Sequence, residues 1–370
     1  MTTTSNVLLL KLYDLDNDWN VAAPNPQNVV VDWVLLNELT MLGRLFTNVK
    51  LLPRKRIRVR FMRRMVWHFV TTSAFSYIEK ICRPPTNMNG NQMYSLFCVG
   101  FAAAVMFGES IPETAVDRAV RPFADFFYAN VGELLPFIYV VCLAYVACVF
   151  FVSPRKPYDL RGWLACWSFS LAAFSAYGAV RTVPALARLL EVYGVYQSVC
   201  GGAEELYMYG NTGSWVSLFI FSKLPELFDT AFIVLRKKPL ILLHWYHHVT
   251  VLLYTWHSLA ERASTGLWFV AMNYTVHAFM YLFYGFVALG VRPSWFAEYI
   301  TILQIVQMVA GMAVSLYTLV NKPECKTSWE NAVGSVIMYM SYLLLFVRFY
   351  LETYSSSGVE ERQKTKKKTV

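Results

Sequence analysis

The chain has 370 residues, 56% of them hydrophobic and only 15% charged, with a formal net charge of +9. An ordinary soluble protein carries about 25% charged residues, so this composition excludes that class. Repeated apolar stretches of about 20 residues point to an all-α integral membrane protein. A closed barrel would need short alternating strands, which the sequence lacks.

Residues 1–92 read as a basic, poorly ordered extension broken by Pro24, Pro26, Pro84 and Pro85. Arg54 to Arg64 is a basic tract interleaved with apolar residues, suited to an anionic cytosolic membrane surface. Residues 93–132 form a short hydrophobic segment and a connector. Met93 to Gly108 is apolar but short for a span, and reads as re-entrant, interfacial or an extra helix. Seven spans follow within 133–351, near 133–152, 162–181, 214–235, 240–258, 266–289, 296–320 and 332–351. The expected architecture is a seven-helix transmembrane bundle with room for an extra N-terminal hydrophobic segment.

Basic residues follow the odd-numbered spans: Arg155, Lys156 and Arg161, then Arg236, Lys237 and Lys238, then Arg292, and finally Lys366 to Lys368. The positive-inside rule places those joins, the tail 352–370 and the C-terminus in the cytosol. The rule accounts for the positive balance, and no nucleic-acid partner is expected. Lys367 and Lys368 stand third and fourth from the end, the spacing of the dilysine retrieval signal of endoplasmic-reticulum membrane proteins. The seven cysteines are scattered and show neither metal spacing nor a disulfide framework.

The polar residues inside the spans carry the chemistry. In the third span Lys223, Glu226 and Asp229 follow one another at i, i+3, and Thr230 lies four residues after Glu226. One helical face therefore holds a cation, carboxylates and a hydroxyl. Pro225 removes a backbone donor there, so a kink is expected. Five of the six histidines lie between His244 and His277. His244, His247 and His248 stand at i, i+3, i+4 and share a face in an apolar run. Ionisable groups at membrane depth are rare and usually functional. A carboxylate of the third span is the expected partner of an imidazole, fixing its tautomer. The fifth span adds Asn273, His277 and Tyr281, and the sixth adds Gln304 and Gln307. His257 ends its span and reads as interfacial.

Three readings fit such a stripe. A di-iron oxygenase uses about eight histidines in several boxes, and ligand number fixes a metal; this chain has one box. A receptor or transporter has no use for several reactive imidazoles. Acyl transfer fits best. Imidazole attacks thioesters, neighbouring groups move protons, and a bundle interior offers a slot for an aliphatic chain.

Lys223-Leu-Pro-Glu226-Leu-Phe-Asp229-Thr230, His244-Trp-Tyr-His247-His248, Asn273-Tyr-Thr-Val-His277-Ala-Phe-Met-Tyr281 and Thr301-Ile-Leu-Gln304-Ile-Val-Gln307 resemble, in order, the motifs of the fatty acid elongase family. Trp167, Phe174, Ser175, Gly178 and Arg181 of the second span add to the resemblance, which runs from about Glu133 to Leu351. It implies an endoplasmic-reticulum 3-ketoacyl-CoA synthase acting on acyl-CoA and malonyl-CoA in membrane lipid, with no metal or other cofactor. It further implies a homodimer associated with the ketoreductase, dehydratase and enoyl reductase of the elongation cycle. By position, His247 would carry the acyl group and His277 would assist decarboxylation. His244, His248, Asp229 and Asn273 would join them in the catalytic set. Glu226, Lys223, Tyr281, Gln304 and Gln307 would bind substrate, with Arg236, Lys237 and Lys238 meeting the phosphates of the carrier. Trp245-Tyr246 within the box resembles members acting on saturated and monounsaturated chains.

Overall fold

A computed structural model describes residues 90–354, apart from 107, 109–110, 153–155, 292–293 and 323. The basic N-terminal tract, Arg155, Arg292 and the dilysine tail lie outside the described residues. The described residues are all-α. In chain order the helices are α1 (Gly90–Met106), α2 (Ala115–Phe151), α3 (Arg161–Cys200), α4 (Ala203–Leu206), α5 (Gly210–Ser222), α6 (Phe228–Leu235), α7 (Leu242–Ala260), α8 (Gly266–Ala288), α9 (Ser294–Val320) and α10 (Trp329–Tyr354). Helices α2, α3, α9 and α10 carry stretches long and apolar enough to cross a membrane. The pair α5 and α6 forms one broken span, and with α7 and α8 it completes the seven-helix bundle.

The first spanning helix starts at Ala115, well before the apolar run from Glu133. A capping box sets that start. The Asp117 N–H donates to Thr114 Oγ1 at 3.3 Å, and the Thr114 N–H donates to Asp117 Oδ2 at 2.8 Å. Asp117 also accepts from Arg181 Nη2 at 2.5 Å and Trp215 Nε1 at 2.9 Å. This buried knot fastens the start of α2 to α3 and α5. Helix α1 lays Phe97 and Phe101 against Phe279 of α8, with ring centroids 5.9 and 5.1 Å apart.

The third span breaks where Pro225 predicts. Helix α5 ends at Ser222, a 3-10 turn covers Pro225–Leu227, and α6 begins at Phe228. The carbonyls freed by the break find partners. Leu224 N–H donates to Phe221 O at 3.1 Å, and Trp256 Nε1 reaches from α7 to Ile220 O at 3.0 Å. The turn after α6 has a left-handed residue at Lys237, φ 53°, with Lys238 N–H donating back to Ile233 O at 3.0 Å. Beside it, Arg161 hydrogen-bonds the Asp159 carboxylate and holds it below its usual range.

Helix contacts depend on small residues that let aromatic rings approach backbone. A Cβ at Gly178 of α3 would stand 2.3 Å from Cζ of the buried Tyr274, and one at Gly311 of α9 would stand 2.2 Å from Cε1 of Tyr339. Tyr274 cannot swing aside freely, because its hydroxyl donates to Trp215 O at 2.9 Å. Gly178→Ala is therefore expected to destabilise the protein by about 1–3 kcal/mol through overpacking. Thermal unfolding in detergent would check this.

At the end of α3 the chain is stapled. Cys200 and Cys325 form a disulfide across 125 residues, which corrects the expectation of no disulfide framework. Spacing along the chain gives no hint of a pair that only the fold brings together. Lys326 N–H donates to Cys200 O at 3.0 Å, and Ser264 Oγ donates to Val199 O at 2.5 Å. The staple thus joins α3, the turn between α7 and α8, and the loop between α9 and α10.

Candidate active site

The break in the third span places Lys223 and Glu226 on the inside of the bundle. Lys223 Nζ donates to both Glu226 oxygens, at 2.7 and 2.9 Å, and to Asn273 Oδ1 at 3.3 Å. It also stands 4.1 Å from the centre of the Phe219 ring. Ser222 Oγ donates to Glu226 Oε1 at 3.0 Å. His277 Nδ1 lies 4.0 Å from Glu226 Oε2, longer than a hydrogen bond. Lys223, Glu226, Asn273 and His277 therefore form one buried group drawn from two elements.

Asp229 belongs to a neighbouring group. Its Oδ1 accepts from Trp167 Nε1 and its Oδ2 from Tyr281 OH, each at 2.6 Å. This corrects the expectation that the carboxylate would pair with an imidazole. An indole and a phenol are aimed at it from α3 and α8, and both of its oxygens are engaged. Its link to the histidines is indirect, since the Tyr281 ring packs edge-on to His277 with centroids 5.3 Å apart.

The histidine box occupies the first two turns of α7. His244 and His248 have ring centroids 4.4 Å apart, and His247 and His248 have theirs 5.8 Å apart. His244 Nε2 meets Thr230 Oγ1 at 2.9 Å. His247 packs against Tyr342 of α10, with centroids 4.8 Å apart. Its Nδ1 is buried and has no hydrogen-bond partner among the described residues. No three His, Cys, Asp or Glu side chains among the described residues are arranged to hold a metal ion.

His247 faces an apolar cavity of about 50 Å³, whose wall includes Asn273, Gln307, Phe219, Val270 and Met308. The cavity joins the box on α7 to the polar residues of α8 and α9. Gln304 is buried, with Nε2 3.3 Å from Met280 Sδ. Arg236, Lys237 and Lys238 stand apart from this centre, on the turn after α6, where Arg236 is buried and Lys237 exposed. His257 is half-buried at the far end of α7, 3.3 Å from Glu261.

Several residues at the site carry no motif. Tyr342 and Thr250 pair through their hydroxyls at 2.6 Å beside His247, and Tyr145 of α2 meets Thr230 at 2.6 Å. A tyrosine within an apolar span needs a partner for its hydroxyl. That signal marks these residues without saying whom they meet.

A cluster of buried imidazoles and a buried ion pair, with His247 and Asn273 on the wall of an apolar slot inside a seven-helix bundle, define a multi-pass membrane enzyme. The chain belongs to the ELO: GNS1/SUR4 family, which it matches over residues 131–367. It is 42% identical over 215 residues to the very long chain fatty acid elongase 6 of Gallus gallus, covering 57% of this chain and 80% of that one. It is 38% identical over 259 residues to fatty acid elongase 3 of Trypanosoma brucei brucei, covering 62% and 85%. The very long chain fatty acid elongase 3 of Homo sapiens is 38% identical over 253 residues, covering 68% and 92%.

Proposed function

We propose that the protein condenses a long-chain fatty acyl-CoA with malonyl-CoA to give 3-ketoacyl-CoA, carbon dioxide and free CoA. The observation that carries the acyl-imidazole route is His247 on the cavity wall with Nδ1 unpartnered. A neutral imidazole with a free nitrogen attacks the thioester carbonyl. The bond to sulfur breaks, and CoA leaves with the proton the imidazole gives up. Malonyl-CoA then loses carbon dioxide, and the resulting enolate attacks the acyl carbonyl and displaces His247, which takes up from solvent the one proton the net reaction consumes. His277, beside Glu226 and near the Tyr281 ring, is placed to assist decarboxylation or meet the developing enolate charge. Lys223, Asn273, Gln304 and Gln307 bind and orient. Asp229 acts through Tyr281, and His244 and His248 buttress His247.

Arg236, Lys237 and Lys238 meet the phosphates of the carrier. The left-handed backbone at Lys237 supports this reading, because a lysine holds a conformation that glycine would adopt without strain. Trp245 and Tyr246 within the box point to saturated and monounsaturated chains. The enzyme uses no metal or other resident cofactor, so turnover is expected to survive a chelator. Loss that iron restores would overturn this.

The protein resides in the endoplasmic-reticulum membrane with its C-terminus in the cytosol. The Cys200–Cys325 pair supports that orientation, since disulfides form in oxidising compartments. Cys325 precedes the last spanning helix, so a lumenal Cys325 puts the basic tail on the cytosolic side. The enzyme works as a homodimer alongside the ketoreductase, dehydratase and enoyl reductase of the cycle.

Intact-protein mass spectrometry after acyl-CoA alone tests the route. A mass increase of one acyl group is expected, and malonyl-CoA should discharge it. An unchanged mass during active turnover would overturn the covalent intermediate.

A further inference from the structure

The histidine box has a support that begins outside every motif, at Tyr145, and lies outside the catalytic set named above. Tyr145 projects from α2 and is buried. Its hydroxyl meets Thr230 Oγ1 at 2.6 Å, and the same Oγ1 meets His244 Nε2 at 2.9 Å. A chain of two hydroxyls therefore runs from the first spanning helix, through the broken third, to the first residue of the box.

The direction of that chain follows from counting donors. A buried phenol must place its proton on an acceptor. Thr230 Oγ1 stands within reach, so Tyr145 donates to it. The threonine hydroxyl then has one proton of its own to give. His244 Nε2 is the group facing it, and it accepts. An accepting Nε2 leaves the ring proton of a neutral His244 on Nδ1. With its Nε2 edge tied to Thr230, the ring is turned against His248, whose centroid is 4.4 Å away, and His248 stands next to His247.

Building on the elongase reading, we propose that Tyr145 and Thr230 are positioning residues that lock His244 in the Nδ1–H tautomer and so set the packing of the histidine box. Neither touches the reacting atoms. Their removal should lower kcat and leave KM for both CoA substrates in place, because the slot and the basic turn are untouched.

The test uses the full-length enzyme in lipid or detergent. Tyr145→Phe removes only the hydroxyl and is expected to lower kcat about tenfold, the scale of one lost hydrogen bond. Thr230→Val should do the same, and Thr230→Ser should recover most of the loss. The double variant Tyr145→Phe/Thr230→Val should be no worse than either single change, as coupled residues require. A Tyr145→Phe enzyme with unchanged kcat would overturn the proposal. So would a Thr230→Ser enzyme as poor as Thr230→Val, which would make the residue packing alone. Nitrogen-15 spectra of histidine-labelled protein read the tautomer directly, with His244 assigned by the signal lost in His244→Gln. An Nδ1–H ring in the wild type that changes in Thr230→Val supports the relay, and an Nε2–H ring sinks it. This readout needs no turnover, so it separates a failed relay from a failed elongase reading, which wild-type protein making no 3-ketoacyl-CoA would reveal.

Discussion

His247→Ala is expected to reduce condensation by about ten-thousandfold or more, the scale seen when a nucleophile is deleted from a set that acts together. The protein should remain folded. The ring leaves no orphaned partner behind, because its buried Nδ1 bonds nothing among the described residues. Its loss enlarges a cavity that already exists, against Tyr342 and His248. Three assays check the result. Formation of 3-ketoacyl-CoA should vanish, CoA release from acyl-CoA alone should vanish with it, and the acyl adduct should be absent by mass. His277→Ala should behave differently, keeping the adduct and failing to discharge it. A His247→Ala enzyme that still takes up an acyl group would move the nucleophile to another side chain of the box.

The parts of this site that were legible in the sequence are those set by local geometry. Helical spacing put Lys223 and Glu226 on one face, and the structure has them bonded. Pro225 predicted the break, because a missing donor cannot be restored locally. The i, i+3, i+4 spacing put three imidazoles together, and their rings do pack against one another, tilted or edge-on. What periodicity cannot say is which distant residue faces a given stripe. Asp229 found Trp167 and Tyr281, 62 residues before it and 52 after it, where an adjacent imidazole was expected. Tyr342 and Tyr145 sit in spans whose sequence shows apolar runs, and their hydroxyl partners come from other helices. The early start of α2 had a local sign, the box formed by Thr114 and Asp117, but it precedes the apolar stretch used to mark the span. The Cys200–Cys325 pair needed the whole fold to bring its halves together.

Breaking the Lys223–Glu226 pair is expected to give the largest loss of stability. Their side chains are only 2% and 5% exposed. Removing one partner leaves the other charge buried without compensation, which costs about 3–5 kcal/mol. Lys223→Met and Glu226→Leu should each lower the unfolding midpoint strongly. The double variant replaces the pair with apolar groups of similar volume, and such swaps are often neutral or stabilising. It should therefore regain the wild-type midpoint. It should not regain activity, because Lys223 also holds Asn273 at 3.3 Å and Glu226 stands 4.0 Å from His277. The two readouts thus divide the role of the pair between holding the bundle and serving the reaction. Single variants as stable as wild type would mean that water reaches the pair. A double variant that recovered turnover along with stability would reduce the pair to scaffolding and leave the proton and charge handling near His277 to Tyr281 and Asp229.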